Sequence, residues 1–138
     1  MALTTWLFDT SAFHKLTQSP DLEVWLNRID RGLVFVSPLT LLEVGYSLKS
    51  AQDHSVVFGS GIMRNLMKAE LSSDAANKAL DIQHSLLLRG QHRGPSVPDL
   101  LTAALGLLGG HTLVHDDSDF VTIAAVTGQS VEKLRTSS

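Results

Sequence analysis

Three features of this 138-residue chain predict an α/β fold with a parallel sheet covered by helices on both faces. Short β-inclined apolar runs alternate with stretches whose apolar residues recur at helical spacing, and a parallel sheet needs helical crossovers of that kind. Acidic residues follow two of those runs directly, at Asp9 and at Asp116, Asp117 and Asp119, where the carboxyl edge of such a sheet binds ligands. The length suits one domain with a proper core and is too short for two, so a single unit over residues 1–138 is expected to supply both scaffold and site.

Leu3 to Phe8 is apolar, stops at Asp9 and reads as a buried first strand. From about Asp21 to Arg31, Leu22, Trp25, Leu26 and Ile29 keep helical spacing, and Gly32 is placed to stop the helix. Leu33 to Val36 is a short second strand, after which Ser37 and Pro38 supply an N-cap and a proline at the first helical position. Phe58 to Gly61 marks a loop ahead of a helix over Ile62 to Leu71. Ser73 is read as the cap of the next helix, where Ala76, Ala79, Leu80, Leu86 and Leu87 recur until Gly90. Pro95 and Pro98 frame the start of another, Asp99 to Leu108, apolar nearly all round and so expected to be buried. Thr112 to Val114 is a third strand, Phe120 to Val126 a further helix, and Ser130 to Leu134 a last strand.

Composition narrows the function. Without cysteine there is neither a disulfide framework nor a thiolate metal site. The formal net charge of -3 argues against holding nucleic acid by bulk electrostatics alone, and the densest basic patch is Arg89, His92 and Arg93. The longest apolar stretch, Leu100 to Leu108, falls far short of the roughly 20 residues of a membrane span. The N-terminus lacks a basic leader and Asp9 cuts its apolar run, so a soluble cytoplasmic protein is expected.

Five acids in four separated places carry the chemistry: Asp9, Glu43, Asp99, and Asp117 with Asp119. Each lies beside or inside an apolar run, where a carboxylate costs free energy unless a positive group meets it. A hard divalent cation is the simplest group that would collect them. Asp9 ends a strand; its structural alternative is to cap the next turn, and Ser11 could orient its carboxylate or a water. Glu43 shares a helical stripe with Leu39 and Tyr46 and is expected to face the core side, its alternative being an arginine pair. Asp99 opens an apolar helix, where the dipole alone favours an anion. Asp117 and Asp119 are two apart and can face one way, whereas Asp116 is expected to point to solvent or cap the turn.

Other motifs carry less. His111 and His115 have the spacing of a helical zinc pair, but the strand-like TLV between them would hold the two Cα atoms roughly 13 Å apart. Met63 and Met67 form a helical stripe, read either as core or as part of a partner groove. Neither a phosphate-binding glycine loop nor a GxSxG elbow is present. An aspartyl-phosphate phosphotransferase would want a second Asp where Ser11 stands.

The order of FDTSAF, LLEVGYS, PSVPDLLTAA and HDDSDF resembles the PIN-domain nucleases, and within them the VapC toxins of bacterial toxin–antitoxin pairs. The likeness runs over essentially the whole chain, and RGQHRGPSVPDLL is especially similar to actinobacterial members. It implies a PIN-like α/β/α sandwich with a central parallel sheet. It also implies an endoribonuclease whose Mg²⁺ or Mn²⁺ is held by the positions that here are Asp9, Glu43, Asp99 and Asp117, with Asp119 a further acidic position. A homodimer and a cognate VapB-type antitoxin are implied as well. An antitoxin arginine would compete with the ion, since clustered carboxylates attract a guanidinium too. Arg89, His92 and Arg93 are candidates for contact with the RNA backbone. The alternative function is a non-catalytic PIN-like module whose acids bind a metal or a partner.

Overall fold

The computed structural model describes residues 3–137. Five strands make one sheet, β1 (Trp6–Phe8), β2 (Val34–Val36), β3 (Met67–Lys68), β4 (Thr112–His115) and β5 (Val131–Lys133). All pairings are parallel, in the order β3-β2-β1-β4-β5. The chain steps outward from β1 to β2 and β3, then crosses to β4 and β5 on the other side. The order therefore reverses between β1 and β4, and at such a switch point the two crossovers diverge and leave a crevice at the carboxyl edge.

Eight α-helices connect the strands: α1 (Thr10–Lys15), α2 (Leu22–Asp30), α3 (Pro38–Ser47), α4 (Ala51–Phe58), α5 (Gly61–Asn65), α6 (Ser73–Leu88), α7 (Val97–Gly109) and α8 (Asp119–Thr127). Side chains alternate across the pleat, so Leu7 and Leu113 face one way while Phe8 and Val114 face the other. On the first face they join Ala79, Ile82 and Leu86 of α6, Ala103 and Ala104 of α7, and Phe120 and Ile123 of α8. On the second they join Ala12 of α1, Trp25 and Ile29 of α2, Val44 of α3 and Met63 of α5. The sheet is thus the middle layer of an α/β/α sandwich.

Local signals place most boundaries. Ser37 Oγ accepts from Thr40 N and caps α3 with Pro38 at its first position. Gly32 takes φ +72° after α2, where a side chain would be strained. The first strand is shorter than the apolar run that announces it, with Leu3 outside it and exposed.

Four expectations are corrected. The helix expected over Ile62 to Leu71 ends at Asn65, because Met67 and Lys68 pair with Phe35 and Val36 on the free edge of the sheet. Lys68 Nζ donates to the carbonyls of Met63 and Leu66, satisfying groups that a helix end leaves open. Met63 is consequently core and Met67 lies exposed on β3, so the two share no helical stripe. The helix α4, capped by Ser50, was not foreseen. Ser72 rather than Ser73 caps α6, and its buried seam is Ala75, Ala79, Ile82 and Leu86, leaving Ala76, Leu80 and Leu87 outside.

Candidate active site

The acids meet at the switch point. A cleft of about 270 Å³ is lined by Asp9, Thr10, Ser11, His14, Glu43, Pro98, Asp99, Thr102, Asp117 and Phe120. Asp9 follows β1, Asp117 follows β4, Glu43 comes from α3 and Asp99 from the first turn of α7. Asp119, the first residue of α8, completes the group: Asp99, Asp117 and Asp119 each offer an oxygen within 4.8 Å of the others.

Each of the four expected acids has an oxygen pinned by the protein. Asp9 caps α1, its Oδ1 accepting from Ala12 N at 2.9 Å, and the Ser11 hydroxyl lies 2.8 Å from both of its oxygens. Ser11 Oγ in turn accepts from Asp116 N at 2.9 Å, so its own hydrogen is directed to Asp9 and the ends of β1 and β4 are tied together. Glu43 Oε1 accepts from Thr10 Oγ1 at 2.8 Å. Asp99 and Ser96 form a capping box, with Asp99 Oδ2 accepting from Ser96 N at 3.0 Å. Asp117 Oδ1 accepts from Asp119 N at 2.9 Å. Asp9 and Asp99 therefore fill both the structural role and the place in the cleft that sequence reasoning set against each other. Among the described residues no hydrogen bond is made to Glu43 Oε2, Asp99 Oδ1 or Asp117 Oδ2, which leaves these oxygens for a ligand.

Among the described residues no lysine or arginine forms an ion pair with these five acids. Burial pushes the Asp9 carboxyl from 3.8 up to about 6 against the opposing effect of its hydrogen bonds, and the Asp99 charge adds to the rise. Asp119 is also raised, by burial first and then by the charges of Asp117 and Asp99. Asp116 behaves oppositely. It pairs with Lys15 and, at 3.8 Å, with Lys133, and the Lys15 hydrogen bond holds its carboxyl below the usual range. The expectation that Asp116 points to solvent or caps the turn is thus corrected: two lysines hold it outside the cluster.

Glu43 is corrected too. The seam of α3 is Thr40 and Val44, so Glu43, one residue from Val44, is turned about 100° away from the core onto the rim of the cleft. Tyr46, on its stripe, is exposed. The basic patch lies nearby. The nearest atom to a Cβ built on Gly94 is Asp119 Oδ1 at 3.5 Å, so the loop containing Arg93 abuts the cluster. His92 buries its Nδ1 without a hydrogen-bond partner, and Arg89 and Arg93 are exposed. His111 and His115 go separate ways: the former meets Thr5 Oγ1 at 2.6 Å, while the latter's Nδ1 accepts from Asp117 N, and burial holds both imidazoles below their usual pKa.

Sequence reasoning missed His14, Thr10 and Thr102. Thr10 is adjacent to Asp9, while His14 and Thr102 stand one turn after Thr10 and three residues after Asp99, spacings at which helical side chains share a face.

The PIN-domain family profile matches residues 6–126. Ribonuclease VapC2 of Mycobacterium tuberculosis (strain CDC 1551 / Oshkosh) is 46% identical over 129 residues, 94% of this chain and 92% of the relative. The chain belongs to the PIN-domain family of VapC ribonucleases. Ribonuclease VapC51 of Mycobacterium tuberculosis (strain ATCC 25618 / H37Rv) is 36% identical, over 90% of this chain and 88% of the relative. In fold, this VapC-family chain is similar to DNA-bound VapBC from Salmonella typhimurium, with a TM-score of 0.74 and 18% identity over 95% of this chain and 98% of that one. Among its described residues no helix is long and apolar enough to cross a membrane.

Proposed function

We propose that this chain is the toxin of a toxin–antitoxin pair, a metal-dependent endoribonuclease acting in the cytoplasm as one PIN domain. The observation that carries the reading is the convergence of Asp9, Glu43, Asp99, Asp117 and Asp119 at the switch point, the first four each held by its own hydrogen bond.

The donor set fits a hard cation: it is all oxygen, rich in negative charge, and sits in a cleft where Asp9 is hard to ionise. Asp9, Glu43, Asp99 and Asp117 would hold Mg²⁺ or Mn²⁺, with Asp119 as a further ligand or a partner for its water. An ion bound there offsets charge growing on the phosphate and makes a water nucleophilic near neutral pH. The chain's own groups do the rest. Ser11 and the Ala12 N–H hold Asp9 in one rotamer, Thr10 steers Glu43, and the capping box keeps the free oxygen of Asp99 toward the cleft. Such preorganisation means little rearrangement is needed when the ion and the phosphodiester arrive. Arg89, His92 and Arg93 would meet the RNA backbone, a reading supported by the loop after Arg93, where Gly94 packs beside Asp119.

The partner is a VapB-type antitoxin whose arginine occupies the carboxylate cluster in place of the ion. Since Met63 and Met67 no longer form a stripe, the rest of its tail is better seated in the groove lined by Phe13, Leu16, Val56, Val57 and Ile62. That groove shares His14 with the acidic cleft. The working form is a homodimer, for which the exposed Leu80 and Val97 beside the α6–α7 groove offer an apolar face.

Incubating the purified chain with RNA or duplex DNA, in Mn²⁺, Mg²⁺ or EDTA, tests the reading. RNA cleavage that EDTA and Asp99→Asn both abolish is expected. EDTA-insensitive cleavage would sink the mechanism, and equal cutting of duplex DNA would sink the substrate. Intact RNA with metal binding retained would favour the non-catalytic alternative.

A further inference from the structure

The acidic cleft leaves RNA affinity unexplained. With a formal net charge of -3 and a cleft lined by carboxylates, the chain gains nothing from bulk attraction of a polyanion. Beyond the local basic patch at Arg89, His92 and Arg93, two sources remain: the ions the acids hold, and stacking of bases on aromatic rings. The chain has two tryptophans, one tyrosine and five phenylalanines, and all except Tyr46 are buried or half-buried. Tyr46 is 93% exposed. It lies three residues after Glu43, which puts their Cβ atoms about 5–6 Å apart on α3, and Glu43 lines the cleft. Leu42, 71% exposed and one turn before Tyr46, extends the apolar surface. The Thr10–Glu43 hydrogen bond holds this part of α3 against α1 at the mouth of the site.

We propose that Tyr46 stacks on an unpaired nucleobase next to the phosphodiester held at the carboxylates, with Leu42 widening the platform. The proposal rests on the ribonuclease reading above. The base must be unpaired, because in a duplex both of its faces are covered by neighbouring bases. Tyr46 touches the base and not the reacting atoms, so it is a positioning residue.

The test is steady-state cleavage of a pool of short single-stranded RNAs in Mn²⁺ by the wild type and by Tyr46→Ala, Tyr46→Phe, Tyr46→Trp and Asp9→Asn. Quenching of 2-aminopurine placed in the RNA and light scattering accompany it. Tyr46→Ala should raise KM by about tenfold or more and lose the quenching while kcat changes little, and Phe or Trp should restore both. An alanine variant with wild-type KM and quenching removes the stack, and leaves the ribonuclease reading standing if Asp9→Asn is dead. A rise in KM that coincides with loss of a dimer would make this face a contact between copies and overturn the proposal. A wild type that leaves RNA intact overturns both readings.

Discussion

Replacing Asp9 with Asn removes one charge from the cleft while keeping an oxygen for the Ala12 N–H and the Ser11 hydroxyl. In the folded chain burial holds this carboxyl up at about 6, whereas in the unfolded chain it titrates near ~3.9. The folded state therefore binds the proton more tightly. Below about pH 4 the carboxyl is protonated in both states and its favourable contribution is fully present; as the pH rises through about 6 that contribution is lost. Well above pH 6 the ionised Asp9 costs the metal-free protein roughly 3 kcal/mol. Asparagine does not ionise, and after its weaker hydrogen bonds are counted it should recover about 2 kcal/mol. Urea unfolding in EDTA at about pH 8 should place the Asp9→Asn midpoint ~1 M above wild type with an unchanged slope, and the gap should close toward about pH 4. Added Mn²⁺ should reverse the order, because the wild type gains by mass action and the variant has lost a ligand. A variant no more stable than wild type in EDTA at the higher pH, or a gap that ignores pH, would refute the argument.

Ser11→Ala leaves the Asp116 N–H without its acceptor and Asp9 without its donor, so it should cost about 1–2 kcal/mol by urea unfolding and lower cleavage with it. Thr10→Val keeps the shape of the first turn of α1 but frees Glu43; activity should fall about tenfold while the far-UV spectrum is unchanged, and full activity would mean the hydroxyl does not steer that carboxylate. Asp116→Asn removes the charge that Lys15 and Lys133 meet outside the cluster, so Mn²⁺ affinity by titration calorimetry should stay within about twofold and stability change by about 1 kcal/mol or less. A large loss of affinity there would place Asp116 in the metal site after all.

Much of the fold was legible because its signals are local. Ser37 with Pro38, Gly32 after a helical stripe, and the β-inclined runs Leu3 to Phe8, Leu33 to Val36 and Thr112 to Val114 each depend on a few neighbouring residues, and each led to an observed element, the strands with ends shifted by one to three residues. The acids were legible for a related reason: a carboxylate at the end of an apolar run is costly wherever the chain goes, so Asp9, Glu43, Asp99, Asp117 and Asp119 could be singled out before their meeting place was visible. The structure brings all five to one crevice.

What the sequence by itself determined is most of the alternation of strands and helices, the Ser37 cap and the choice of acids, since these rest on preferences within a turn or a strand. Tertiary structure alone decided which stretch covers the sheet edge, which way Glu43 turns and what neutralises Asp116. Met67 and Lys68 leave the helical pattern because the unpaired edge of β2 offers hydrogen bonds that only a folded sheet presents. Glu43 faces the cleft because Thr40 and Val44 win the contact with the core. Asp116 finds Lys15 across 101 positions of sequence, a pairing set by the adjacency of β1 and β4 rather than by any local rule, because long-range contacts form only once the chain entropy of closing them has been offset by the core.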